Sequence, residues 1–325
     1  MVLSLRTSWH RPLVLFSAAM AVLAVVSAVG LLVDDRVLVG APIWAKPFKF
    51  AVSFVAYCLS LAWMLSLLPG GRRVGWWAGT VVALASLVEM VIITGQVVRG
   101  KRSHFNRATP FDEALFNAMA VTVVILWAGT LVVAVLLLRA RIADRASAWA
   151  VRCGILLALA GAAVGFLMTQ PAPGQRRGVS KVVGAHSVGV PDGGPSMPLT
   201  GWSTTGGDLR IPHFLGMHAL QLLPLLVMVL SLLAPRFVRL ADDRVRLRLV
   251  LVASGAYAGV FALVLWQALR GQPLTGPDGA TSAVAGLILA AVALGTYGSL
   301  RAARTPLSLR ATDAEGAPAP KDLVP

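Results

Sequence analysis

Eight long apolar runs separated by short polar connectors constrain this chain more than any other feature. They cover residues 12–33, 47–68, 74–98, 113–138, 149–169, 212–234, 249–269 and 280–300. As a helix, each run is long enough to cross the ~30 Å hydrocarbon core of a bilayer. Lipid offers the backbone no hydrogen bonds, so a span must satisfy its own amides and carbonyls, which a helix does. The expected fold is therefore all-α, a polytopic transmembrane helix bundle with about eight spans in a single domain over residues 1–300. The first run exceeds a signal-peptide core of about 7–15 residues and reads as an uncleaved span. Residues 301–325 turn polar and rich in Pro and Ala, and are expected to form a disordered cytoplasmic tail.

Charge agrees with this reading. Only 13% of the 325 residues are charged, against about 25% in soluble domains. The net charge of +15 does not point to nucleic acid, because Lys and Arg are dispersed among the connectors rather than collected on a soluble fold. With both termini placed in the cytoplasm, 17 of the 29 Lys and Arg fall on the cytoplasmic side, among them Arg6, Arg304, Arg310 and Lys321. Of the other twelve, four lie in the long 170–211 loop, which weighs little in topology. The expectation is a multi-pass protein of the cell membrane, inner or plasma, with lipid as its main partner. Cys58 and Cys153 both fall in apolar runs and have no metal-type spacing.

The polar residues that topology leaves unexplained gather towards the outer side, with four of the five histidines: His104, His186, His213 and His218. Lys46 and Lys49 follow Trp44 at the outer start of the second span, where an interfacial anchor or a cationic site would both fit. Glu89 and Gln96 share one face of the third span, and Glu89 falls about 13 Å below its outer end. Arg99, Lys101, Arg102 and Arg107 stand in a short outer loop, against the usual charge bias. Thr109, Pro110 and Asp112 read as a cap for the fourth span. On the sixth span His218 and Gln221 share a face, with His213 beside it and Pro224 as a kink site. Gly161/Gly165 and Gly255/Gly259 are small-residue pairs that let helices approach.

The strings WAKPFKF (44–50), GQVVRGKRSHFN (95–106) and GDLRIPHFLGMHALQLLP (207–224) resemble those of an uncharacterised group of bacterial multi-pass integral membrane proteins. The resemblance covers spans two, three and six and implies no activity. Span count is also similar to that of the haem A synthases, but the last two spans here contain no histidine.

The expected function is binding or transport of an anionic small molecule or lipid headgroup in an outward-facing pocket. Its ligand-binding residues would be Lys46, Lys49, Glu89, Gln96, Arg99, His104, His213, His218 and Gln221. Two alternatives stay open. One is an intramembrane enzyme acting on a lipid-linked substrate, with the histidines as acid and base. The other is haem or copper binding through His104, His213, His218 and Met168. No cofactor, metal site or oligomeric state is assigned.

Overall fold

The computed structural model describes residues 9–301; Arg6 and the 302–325 tail, with Arg304, Arg310 and Lys321, lie outside the described residues. Eight helices are long and apolar enough to cross a membrane, and the chain is a multi-pass helical membrane protein. They are α1 (Arg11–Val33), α2 (Ala45–Ser66), α3 (Arg72–Val98), α4 (Pro110–Arg139), α5 (Arg145–Met168), α6 (Arg210–Leu233), α8 (Asp243–Leu269) and α9 (Gly279–Arg301), with a single-turn α7 (Val238–Ala241) between α6 and α8.

Local chemistry sets the helix starts. Thr109 caps α4 by accepting the Asp112 amide at 3.1 Å, and Pro110 occupies the first turn, where its missing N–H costs nothing. Asp144 accepts the Ser147 amide at 2.7 Å to open α5. Asp242 accepts the Arg244 amide at 2.8 Å, so α8 begins six residues before its apolar run. The first turns carry Arg244, Arg246 and Arg248, and Arg246 donates to the Leu240 carbonyl at 2.6 Å. Helix α6 continues through Pro224.

Packing closes a ring. Each of α2, α3, α4, α5 and α6 packs on the next, and α6 returns to α2. α1 lies outside the ring against α2 and α3, α8 lies against α5 and α6, and α9 rests on α8. The close approach of α5 and α6 depends on glycine: a Cβ on Gly161 would lie 2.5 Å from the Gly216 Cα. The expectation for Gly255 and Gly259 is corrected. Nothing lies within 4 Å of a Cβ at Gly255, and Gly259 meets only the Ile288 side chain, because α9 is peripheral.

The α1–α2, α3–α4, α5–α6 and α8–α9 connections share one end of the bundle and build a folded cap there. Strands β1 (Val37–Leu38) and β2 (Ala41–Pro42) form a hairpin whose two-residue turn, Val39-Gly40, has positive φ at both positions. That matches the twist of a tight hairpin, though a β-branched residue pays strain in it. The 170–209 segment is ordered across the same end. Strand β3 (Ser187–Val188) pairs with β4 (Gly207–Asp208), and the Arg107 amide donates to the Lys181 carbonyl at 2.8 Å. The Val183 amide donates to the Phe105 carbonyl at 3.1 Å. Phe105 itself has φ 63°, held there by burial against Phe116 and His186.

Candidate functional site

Under the cap is a cavity of about 160 Å³, walled by the starts of α2 and α6, the end of α3, the β1–β2 hairpin and the 186–203 stretch. Its charged lining consists of Lys46, Lys49, Lys101, Arg102 and Arg210 against a single carboxylate, Asp192. Two of these cations occupy the first turn of a helix, Lys46 on α2 and Arg210 on α6, and Lys49 follows at the start of the second turn of α2. A helix N-terminus carries partial positive charge and unpaired N–H groups, so it disfavours cations and favours an anion.

The lysines have neutral partners. Lys46 Nζ donates to His104 Nδ1 at 2.9 Å and lies 5.7 Å over the Phe50 ring. Lys49 Nζ donates to the Thr200 carbonyl at 3.0 Å. Neither makes an ion pair among the described residues. Arg210 differs, pairing with buried Asp208 at 2.5 Å and donating to the Gly201 carbonyl at 2.6 Å. Asp208 also accepts the Ser203 and Arg210 amides, so its charge is spent on holding the cap and α6 together.

Two imidazoles border the cavity. Burial and the neighbouring Lys46 push His104 well below the usual imidazole range, so it is neutral and accepts from Lys46 through Nδ1. His186 Nδ1 donates to Asp192 at 2.8 Å, and the same carboxylate accepts the His186 and Ser187 amides. Burial pulls His186 down and Asp192 pulls it back up, while Arg210 and Lys46 push it further down. Burial alone would raise Asp192, but its bonds to His186 and to the two amides hold it below the ordinary carboxylate range. Among the described residues neither imidazole Nε2 has a hydrogen-bond partner, and neither is a fully buried unpaired atom.

The expected site residues divide into three groups. Lys46, Lys49 and His104 line the cavity. Gln96 and Arg99 do not; their amide and guanidinium donate to buried Asp112 at 2.9 and 2.8 Å, which locks the α3–α4 corner. Glu89, His213, His218 and Gln221 do not line the cavity; His213 sits on α6 between the lining residues Arg210 and Phe214, and the other three lie deeper along α3 and α6. Glu89 is buried and accepts from Thr122 at 2.6 Å, with Lys46 as the cation whose field reaches it. His213 Nδ1 donates to the Gly161 carbonyl at 2.8 Å, against α5. His218 stacks on Phe214 and, among the described residues, has only Gln221, at 3.4 Å, for a hydrogen-bond partner. Met168 packs in an apolar cluster with Phe105 and Leu209. Among the described residues no three His, Cys, Asp or Glu side chains gather closely enough to hold a metal ion.

Sequence reasoning left His186, Asp192 and Arg210 out of the site. Arg210 carried a usable signal, an Asp-x-Arg step directly before a helix. His186 and Asp192 carried none, since a His and an Asp six apart in a Gly/Pro-rich loop meet only when the loop folds back.

Fold and site together define a class: a multi-pass helical membrane protein with a cation-lined cavity beneath a folded cap. Comparison with protein-family models, with curated proteins and with solved structures gives no match to the chain.

Proposed function

We propose that the cavity binds an oxyanion, the shared chemistry of a small inorganic or organic anion and of a lipid headgroup. The carrying observation is the pair of lysines near the start of α2, Lys46 and Lys49, held by neutral acceptors and lining a cavity with one carboxylate. An oxyanion there would neutralise both ammonium groups and the helix end that repels them. The bias of 17 of 29 Lys and Arg to the opposite end supports cytoplasmic termini and a cavity on the outer face of the cell membrane. The resemblance to bacterial multi-pass proteins fits that placement.

The test uses purified protein in phosphatidylcholine nanodiscs, titrated with sulfate, and a parallel set containing phosphatidylglycerol. Lys46→Ala and Lys49→Ala should each weaken binding about tenfold, the ~1.4 kcal/mol of one exposed charge-assisted bond. Sulfate binding in pure phosphatidylcholine indicates a free anion; dependence on phosphatidylglycerol indicates a headgroup. Sulfate uptake into proteoliposomes separates transport from binding. If both probes bind wild type and the double variant equally, the cavity is not the site.

A further inference from the structure

An anion-binding cavity gains nothing from a carboxylate in its wall, yet Asp192 is there, and its arrangement suggests a reason. Asp192 fixes the proton of His186 on Nδ1, which leaves a lone pair on Nε2 of a residue that lines the cavity, without a partner among the described residues. The groups facing His186 are few and come from every neighbouring element. Its own loop supplies Asp192. α6 supplies Arg210 and His213, with Asp208 bound to Arg210. α2 supplies Lys46. The 99–109 loop supplies His104 and the Phe105 ring, whose centroid lies 4.9 Å away.

We infer that the cavity takes up its oxyanion together with a proton, and that Nε2 of His186 receives it. This rests on the anion-binding reading above. In the empty cavity the cations Arg210 and Lys46 oppose a charge on His186, and Asp192 favours one. The bound oxyanion cancels the field of those two cations and leaves Asp192 in place. A proton from bulk water then adds to Nε2, with no covalent bond broken, and the new N–H donates to an anion oxygen. His104 is poorly suited to this role, because Lys46 already donates to its Nδ1 and, among the described residues, no carboxylate accepts from its ring.

Linkage gives the size of the effect. Where His186 is neutral when free and charged when occupied, affinity rises ~10-fold for each unit fall in pH. Sulfate and phosphatidylglycerol keep fixed charge near neutrality, so neither probe titrates itself. Calorimetry of sulfate binding to wild type, in two buffers of different ionisation heat, should show uptake of about one proton per anion. If sulfate does not bind and phosphatidylglycerol does, the affinity of the lipid at about pH 6 and about pH 7.5 serves as the readout. His186→Gln should abolish the uptake and flatten the pH profile. Asp192→Asn keeps an oxygen for the two backbone amides and loses the support for an imidazolium, so it should flatten the profile as well. His104→Gln should keep the proton uptake, whatever it does to affinity.

Binding without proton uptake in wild type would overturn the inference and leave the anion reading standing. Uptake abolished by His104→Gln and unaffected by His186→Gln would overturn it too. If neither probe binds wild type, both readings fall together.

Discussion

Replacing Gly161 by Ala is the sharpest test of the packing that holds the site. A Cβ there would lie 2.5 Å from the Gly216 Cα and 2.6 Å from the Met217 amide nitrogen. Both are backbone atoms, so no side chain can rotate away. Reaching an ordinary contact near 3.5 Å requires α5 and α6 to separate by about 1 Å. Overpacking of this kind costs about 1–3 kcal/mol. The same shift stretches the 2.8 Å bond from His213 to the Gly161 carbonyl, with about 1 kcal/mol more at stake. The better helix propensity of Ala returns up to about 1 kcal/mol. The net expectation is a loss of about 1–3 kcal/mol, read as a lower thermal midpoint in detergent micelles. Gly255→Ala is the internal control. It has open space around its Cβ, so only the propensity gain of up to about 1 kcal/mol remains. Equal midpoints for the two variants would refute the close α5–α6 crossing, and with it the placement of His213.

Other perturbations test the remaining features. Asp112→Ala strips Gln96, Arg99 and Thr109 of a buried acceptor. It should cost about 2–4 kcal/mol of stability, with Asp112→Asn recovering part of it in the same unfolding assay. Glu89→Gln keeps an oxygen for the Thr122 hydroxyl and should change stability by less than ~1 kcal/mol. A loss of about 3–5 kcal/mol would instead mean that Glu89 and Lys46 form a true buried ion pair. With Cys58 and Cys153 replaced by Ala, cysteines at exposed positions 101 and 177 should react with an impermeant maleimide on intact cells. A cysteine at exposed position 141 should react only after permeabilisation. Labelling of 101 and 177 from opposite faces would rule out a shared cavity.

Much of the architecture was legible in the residues because hydrocarbon is a demanding solvent. Every expected span corresponds to an observed helix, and the largest boundary error, at α8, arose where a polar helix extends beyond its apolar run. The Thr109 cap was readable for a similar reason, since an N-cap involves only residues three apart. Gln96 and Arg99 show the limit of such reading. Their face and depth followed from helical periodicity, but whether they meet a ligand or Asp112 depends on how the α3–α4 corner folds.

The sequence by itself determined that this chain lies in a membrane as a helical bundle and gathers four of its five imidazoles towards one end, because periodicity and hydrophobicity act over neighbouring residues. Which of those polar groups share a cavity was decided by tertiary structure alone. The α2–α6 closure, the Gly161–Gly216 contact and the folding back of residues 186–192 each join positions that are distant in the chain. Distances of that kind are set by packing between elements, which no local pattern of residues encodes.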